Sequence, residues 1–148
     1  MRAGHRPTHP RHMHTVRLAF IGVAWLFLAC VVVQVFLAGL GVFAGAQNFT
    51  LHREFGYLFG WLTLVLLLLA LVGRLDRRWI GLSALLLVLF AFQSVFVALR
   101  EVMPEAAALH PVNALAIFGV ALHVARQSRV LASGVRTVVE AAHAATHA

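Results

Sequence analysis

Two histidines, His52 and His110, are the residues of this sequence best placed to do chemistry. Each ends a similar run that starts with a glutamine, QVFLAGLGVFAGAQNFTLH from Gln34 and QSVFVALREVMPEAAALH from Gln93, and each opens a long apolar segment. Ionisable residues inside membrane segments are rare and are functional candidates by default. Two imidazoles related by an internal repeat match the axial pair that the iron of a b-type haem takes. The repeat therefore predicts one site shared by two helix pairs.

The elements that position these histidines follow from composition. The chain has 148 residues, of which 61% are hydrophobic and 11% charged, with a mean hydropathy of +0.89. A hydrocarbon core needs roughly 20 helical residues to cross it, and the charge-free stretches are long enough for four crossings. We predict spans at about 16–40, 52–73, 79–99 and 105–126. The expected fold is all-α, an integral membrane antiparallel four-helix bundle of two pseudo-repeated helix hairpins in one domain, 16–127.

Arginine sets the expected orientation, because cytoplasmic loops collect positive charge. The chain contains no lysine, and most of its arginines precede the first span, separate the second from the third, or follow the fourth. Both termini are therefore expected to be cytoplasmic. Arginine without lysine, with abundant Ala, Leu and Val, favours a bacterial plasma membrane. The net charge of +7 then indicates attraction to anionic lipid headgroups; we expect the bilayer as partner, with a membrane redox partner or a second copy, and no nucleic acid.

The two histidines are expected at the same depth. Asn48 or Thr50 can cap the second helix, which places His52 in its first turn. Pro104 is well placed to begin the fourth helix, which places His110 about one turn further in. Imidazoles that share one iron would have their ligating nitrogens roughly 4 Å apart, the span of two Fe–N bonds.

Small and basic residues near the histidines could complete a haem site. Gly56 follows His52 by four residues and Ala114 follows His110 by four, so both lie on the ligand face of their helix. The alternative for Gly56, with Gly60, is a helix-packing face. Arg53 and Arg100 stand at the outer ends of the second and third spans, where the propionates of a haem at this level would lie. The alternative is that both side chains simply extend to the membrane interface.

These residues resemble one four-helix half of haem A synthase, whose halves each carry one histidine on the second helix and one on the fourth. The resemblance runs over roughly residues 30–126 and rests on the QVFLAGL run from Gln34, on Leu51-His52-Arg53, and on Gln93 and Leu109-His110. It implies a four-helix bundle with haem b held between His52 and His110, as in the cofactor half of that family. The chain also resembles small four-span bacterial membrane proteins, a likeness that implies no activity.

The catalytic half of haem A synthase differs from this sequence. It carries a glutamate three residues before its helix-two histidine, where this chain has Phe49, and many members have a cysteine pair in the outer loop, whereas Cys30 is the single cysteine here. The resemblance therefore does not extend to oxidation of a haem methyl group. Without a nucleophile–base pair or a phosphate-binding loop, the sequence shows no independent active site.

The remaining histidines are expected to be secondary. His123 lies 13 residues after His110 and points away from the same face, so we interpret it as an interfacial residue. Residues 1–15 form a His- and Arg-rich stretch without helical or strand period, interpreted as a disordered cytoplasmic arm in which His5, His9, His12 and His14 are weak metal candidates. Residues 128–148 are expected to form a cytoplasmic tail or a weak surface helix.

The sequence leaves two functional classes open. One is a small membrane b-type cytochrome, in which the protein supplies axial ligands for electron transfer or haem holding. The other is a cofactor-free accessory or scaffolding subunit, in which His52 and His110 bond to neighbouring helices. Broken helices or paired intramembrane charges, typical of transporters, are not seen in the sequence.

Overall fold

The computed structural model describes residues 9–132, with side chains from residue 12 onward. Within this range the chain is helical and contains no strand. The elements are α1 (His9–Phe43), a 3₁₀ turn (Ala46–Asn48), α2 (Phe49–Val72), α3 (Arg77–Ala98), the single-turn α4 (Pro104–Ala107) and α5 (Leu109–Gln127). Four helical segments are long and apolar enough to cross a membrane, the fourth formed by α4 and α5 together. The predicted all-α membrane bundle is confirmed, and the chain is a multi-pass membrane protein.

The first helix is longer than its predicted span, 16–40. It begins at His9, so residues 9–15 are helical although their composition predicted a disordered arm; residues 1–8 of that arm lie outside the described range. Pro10 is no obstacle, because the first turn of a helix needs no N–H from it. At 35 residues, α1 is about 52 Å long, well beyond a hydrocarbon core of about 30 Å.

The four long helices form an antiparallel bundle. Helix α1 packs against α2 and α5, and α3 packs against the same two helices, so α2 and α5 lie diagonally across the bundle. The loops at 44–48 and 99–103 lie at one end, which we call the histidine end. The 73–76 loop, the start of α1 and the end of α5 lie at the other, which we call the arginine-rich end.

The core is built in layers that recur every seven residues. One layer consists of Phe27, Phe59, Leu86 and Ile117, and the next towards the arginine-rich end consists of Phe20, Leu66, Trp79 and Val124; all eight are buried. Between them is a buried layer of small residues, Ala24, Thr63, Ser83 and Ala121. A seven-residue period is typical of helices that cross at about 20° and pack side by side along their whole length. The large apolar side chains that are exposed, such as Leu58, Trp61 and Leu115, lie outside these layers, on the surface that the lipid would cover.

An aromatic cluster lies at the side of this core that is nearer to the histidine end. The ring centroids of Phe27, Phe59 and Phe90 are 5.6, 6.1 and 5.2 Å apart. Phe90 lies so close to Gly60 that a Cβ on the glycine would overlap its ring. The packing interpretation of Gly60 is therefore confirmed, since a small residue on α2 lets an aromatic ring from α3 approach the backbone.

Candidate functional site

Four polar residues form the next layer at the histidine end. One seven-residue step from Phe27, Phe59, Leu86 and Ile117 leads to Gln34, His52, Gln93 and His110. All four are half-buried, in contrast to the fully apolar layer that follows. The residues that mark the repeat in the sequence therefore share one register of the bundle.

His52 and Gln34 are joined by two hydrogen bonds between α2 and α1. The His52 Nδ1 lies 3.1 Å from the backbone oxygen of Gln34, and the Gln34 side-chain Nε2 donates to the backbone oxygen of His52 at 2.8 Å. His52 lies in the first turn of α2, as predicted. Asn48 occupies the N-cap position without a side-chain capping hydrogen bond, and its Nδ2 donates to the Gly45 oxygen at 3.1 Å.

His110 repeats the first of these contacts. Its Nδ1 lies 3.2 Å from the backbone oxygen of Gln93 on α3. The Gln93 side chain has a different partner, Asn113, whose Nδ2 donates to Gln93 Oε1 at 2.9 Å and to the Leu89 backbone oxygen at 2.8 Å. In both hairpins a glutamine backbone carbonyl is thus bonded to the histidine ring. The glutamine side chain has a different partner in each hairpin, the His52 backbone in the first and Asn113 in the second.

The fourth span has a short break just before His110. The single turn α4 begins at Pro104, as predicted, and ends at Ala107, and α5 begins at Leu109, so His110 lies in the first turn of α5, six residues after Pro104. Pro111 explains the break, since it lacks the N–H that would bond to the Ala107 oxygen and its ring crowds that carbonyl.

The hydrogen bonds of the two histidines determine which ring nitrogen is available to bind a metal. A backbone carbonyl can only accept, so Nδ1–H is the donor on both rings and Nε2 keeps a free lone pair. Ligating histidines in metalloproteins usually donate their second ring N–H to a carbonyl or carboxylate in this way, which fixes the ring and increases its basicity. His52 and His110 are therefore held in the tautomer that binds a metal through Nε2.

The two rings are in T-shaped contact across the bundle diagonal. Their centroids are 6.2 Å apart and their planes make an angle of 61°. An imidazole–metal bond is about 2 Å, and a five-membered ring with bonds of about 1.33 Å has its centre about 1.1 Å from each atom. Two coaxial imidazoles on one metal would thus have centroids about 6.2 Å apart. The structure brings together the pair that the repeat indicates, at the spacing of a bis-histidine site.

The small residues predicted to leave room for haem differ in their surroundings. A Cβ on Gly56 would lie 2.9 Å from Gln34 Nε2, so the space beside Gly56 is occupied by the amide that bonds to His52. Ala114 is half-buried on α5. The Gln34 Oε1 is buried without a hydrogen-bond partner, which leaves one acceptor in this layer unused.

The two arginines lie at the histidine end but bind their neighbours. Arg53 pairs with Glu54 at 3.0 Å and Arg100 with Glu101 at 3.1 Å. All four side chains are more than 60% exposed, so these ion pairs contribute little to stability. This geometry matches the interfacial alternative, in which the guanidinium groups extend to the membrane surface.

The other histidines do not join this layer. His123 is exposed at the arginine-rich end, where its Nε2 lies 2.8 Å from Arg78 Nη2. His14 is half-buried, and its Nδ1 has no hydrogen-bond partner. His5, His143 and His147 lie outside the described residues. Within residues 9–132 no three His, Cys, Asp or Glu side chains converge as a metal site.

Sequence reasoning missed the roles of Gln34, Gln93 and Asn113. The glutamines were recognised only as the starts of the repeat. Continuing the seven-residue period of buried positions through the spans would have placed both on the inner face, because they fall in register with Phe27 and Leu86. Asn113 follows His110 by three residues and could have been found as a polar residue on the same helical face.

Comparison with known protein families gives a match over part of the chain. Residues 34–99 match a family described as "Family of unknown function (DUF6220)". This is under half of the chain, and it includes Gln34, His52 and Gln93 but ends before His110. Neither the curated proteins nor the solved structures gave a match.

Proposed function

We propose that this protein is a small membrane b-type cytochrome that binds one haem through His52 and His110. The observation that carries the proposal is the 6.2 Å separation of the two rings, with each Nδ1 bonded to a glutamine carbonyl. Such a pair leaves the Nε2 atom of each ring without a hydrogen bond to these carbonyls, which suits a metal that needs two axial ligands.

The donor set favours haem over a bare ion. Structural zinc takes four protein ligands and catalytic zinc takes three, whereas the described residues offer no cluster of three. Two imidazoles are sufficient when the metal brings its own equatorial nitrogens, as a porphyrin does. The chemistry of the donors therefore fits haem b.

The residues of the histidine layer and the aromatic cluster beside it would have different roles in binding haem. His52 and His110 would hold the iron, and haem when bound would supply one-electron chemistry. The carbonyls of Gln34 and Gln93 fix the tautomers and orient the rings. The aromatic cluster below, formed by Phe27, Phe59 and Phe90, excludes water from the arginine-rich side. The protein thus supplies ligands and a dry environment for electron transfer or for holding haem.

We place the protein in a bacterial plasma membrane with both termini in the cytoplasm. The support is the distribution of arginine, because Arg74, Arg77 and Arg78 lie in one loop region and Arg126 follows near the end of α5 at the same end of the bundle. The loops at the histidine end contain nearly balanced charges. A reporter that acts only in the periplasm, inserted at 44–48, should be active, and the same reporter at residue 75 should be silent; the reverse pattern would contradict this orientation.

The second candidate is a cofactor-free accessory or scaffolding subunit. It is favoured by the packing around Gly56 and Gly60, where Gln34 and Phe90 occupy the space beside the glycines. In this alternative the histidine–glutamine hydrogen bonds serve to join α1 to α2 and α3 to α5. Both candidates use the same contacts, so a direct test for bound haem separates them.

The test is an absorption spectrum of the full chain purified in detergent after expression with added haem, in oxidised and dithionite-reduced states. A low-spin b-type spectrum is expected, and His52→Ala or His110→Ala should abolish it or convert it to high spin. His123→Ala is the matched control and should leave the spectrum unchanged. A colourless wild-type protein would reject the haem proposal in favour of the accessory subunit, and a spectrum that survives both substitutions would reject His52 and His110 as the ligands.

A further inference from the structure

A groove runs along α5 at the arginine-rich end of the bundle. Its volume is about 310 Å³, and its walls include Gly119, Leu122, His123, Arg126 and Gln127. Gly119 and Leu122 lie towards the middle of the helix, whereas Arg126 and Gln127 lie at its end. The groove is therefore apolar on the side of the membrane core and basic on the side of the membrane surface.

A second guanidinium reaches the basic end from α3. Arg78 Nη2 lies 2.8 Å from His123 Nε2. Because arginine is always protonated, it is the donor and the imidazole nitrogen is the acceptor. A guanidinium has five N–H donors, so Arg78 keeps further donors for another ligand. Arg78 from α3 and Arg126 from α5 thus flank the same histidine.

Negative charge is scarce at this end. Of the five acidic residues in the chain, Glu54, Glu101 and Glu105 are at the histidine end, and Asp76 is the one acid at the arginine-rich end within residues 9–132. Both ion pairs between described residues are also at the histidine end. An anion at the basic end of the groove would complement the positive charges of Arg78 and Arg126.

We propose that this groove binds an anionic phospholipid, with the phosphate at Arg78 and Arg126 and an acyl chain along Gly119 and Leu122. The apolar half of the groove favours a lipid over free phosphate, because a free anion would use only the basic half. Basic pockets between membrane helices near the surface are suited to anionic headgroups. The proposal does not depend on haem binding.

The role of the two arginines in lipid binding is tested by native mass spectrometry of the full chain, titrated in detergent with phosphatidylglycerol. One lipid per chain should be retained, and Arg78→Gln or Arg126→Gln should each weaken its binding about fivefold, as expected for one arginine at a lipid surface. Arg100→Gln, at the opposite end, is the control and should have no effect. Phosphatidylcholine with the same acyl chains should bind more weakly than phosphatidylglycerol.

The binding of an acyl chain in the apolar half of the groove is tested by a substitution that fills the groove. A Cβ on Gly119 would meet no atom within 4 Å, so Gly119→Leu should fill the groove without disturbing the bundle and should weaken phosphatidylglycerol binding. Gly22 on α1 is equally open, and Gly22→Leu is the matched control. Circular dichroism should show the same helicity in both variants.

Three results would each overturn the lipid proposal. They are unchanged phosphatidylglycerol binding in the Arg78→Gln/Arg126→Gln double variant, equal binding of phosphatidylcholine, and displacement of the lipid by inorganic phosphate. The last result would identify a simple anion site in place of a lipid groove.

Discussion

The imidazole rings of His52 and His110 are 6.2 Å apart although their helices, α2 and α5, lie diagonally in the bundle. Each ring is held from a third direction, because its Nδ1 bonds to a backbone carbonyl on α1 or α3. The position of either imidazole therefore depends on how two helices pack together. Substitutions that alter this packing should affect the histidine pair without touching either ring.

Gly56→Ala tests the link between Gln34 and His52. The new Cβ would lie 2.9 Å from Gln34 Nε2 and should displace the amide, because a flexible side chain moves more readily than a helix. The lost hydrogen bond should lower the free energy of unfolding by about 0.6 kcal/mol, the average for such bonds in membrane proteins. Unfolding in mixed SDS micelles measures this change. In a Gln34→Ala background Gly56→Ala should cost nothing, and an equal cost in both backgrounds would contradict the explanation.

Gly60→Ala should be more damaging than Gly56→Ala. The added methyl group overlaps the Phe90 ring, which cannot swing aside because Phe27 and Phe59 hold it. Overpacking of this kind costs about 1–3 kcal/mol, measurable in the same unfolding assay. Phe90→Leu should restore part of the loss in a double variant. Gly22→Ala, at an open position, should not destabilise the protein; a similar loss there would argue against a specific clash.

The hydrogen bond between Gln93 and Asn113 should show as an energetic coupling. Asn113→Leu and Gln93→Leu each remove one partner of the 2.9 Å contact, and the double variant removes both. A double-mutant cycle should give a coupling of about 0.6 kcal/mol, with roughly 1.7 kcal/mol as the upper bound seen for such bonds in membranes. A coupling near zero would mean that the contact does not stabilise the packing of α3 on α5.

Pro111→Ala should join α4 to α5. The restored N–H can reach the Ala107 oxygen, which would extend helical hydrogen bonding through Ala108. Hydrogen–deuterium exchange of the amides at 107–111 should become slower. Pro104→Ala is the control, since a proline at the first helical position interrupts no hydrogen bond. Unchanged exchange at 107–111 would show that the loop geometry, and not Pro111, sets the break.

Much of the architecture could be predicted because hydrophobic length and an internal repeat are properties of the sequence itself. Charge-free stretches predicted the four crossings, and the repeat brought His52 and His110 into one layer. The helix ends were less accurate, since α1 begins at His9 and α5 begins only at Leu109. Helix ends depend on local hydrogen bonding, which hydropathy does not describe.

The surroundings of the histidines could not be predicted from spacing alone. Gly56 lies on the predicted face, but the space beside it is taken by Gln34 from another helix. Arg53 and Arg100 lie at the predicted ends of their helices, yet each binds the glutamate next to it. Rotamer choice and side-chain competition decide such contacts, and both depend on the packed bundle rather than on the order of residues.

The apolar layers beneath the histidines determine which side of the membrane can supply them. Phe27, Phe59, Leu86 and Ile117 are buried with no polar atom in their side chains, and a second apolar layer follows two turns further along. A hydrophobic constriction of this kind does not hold a continuous file of water, so the bundle axis is closed to ions and protons. Water and ions that reach His52 and His110 must therefore come from the loops of the histidine end, and a proton cannot cross the membrane along the bundle axis through this layer.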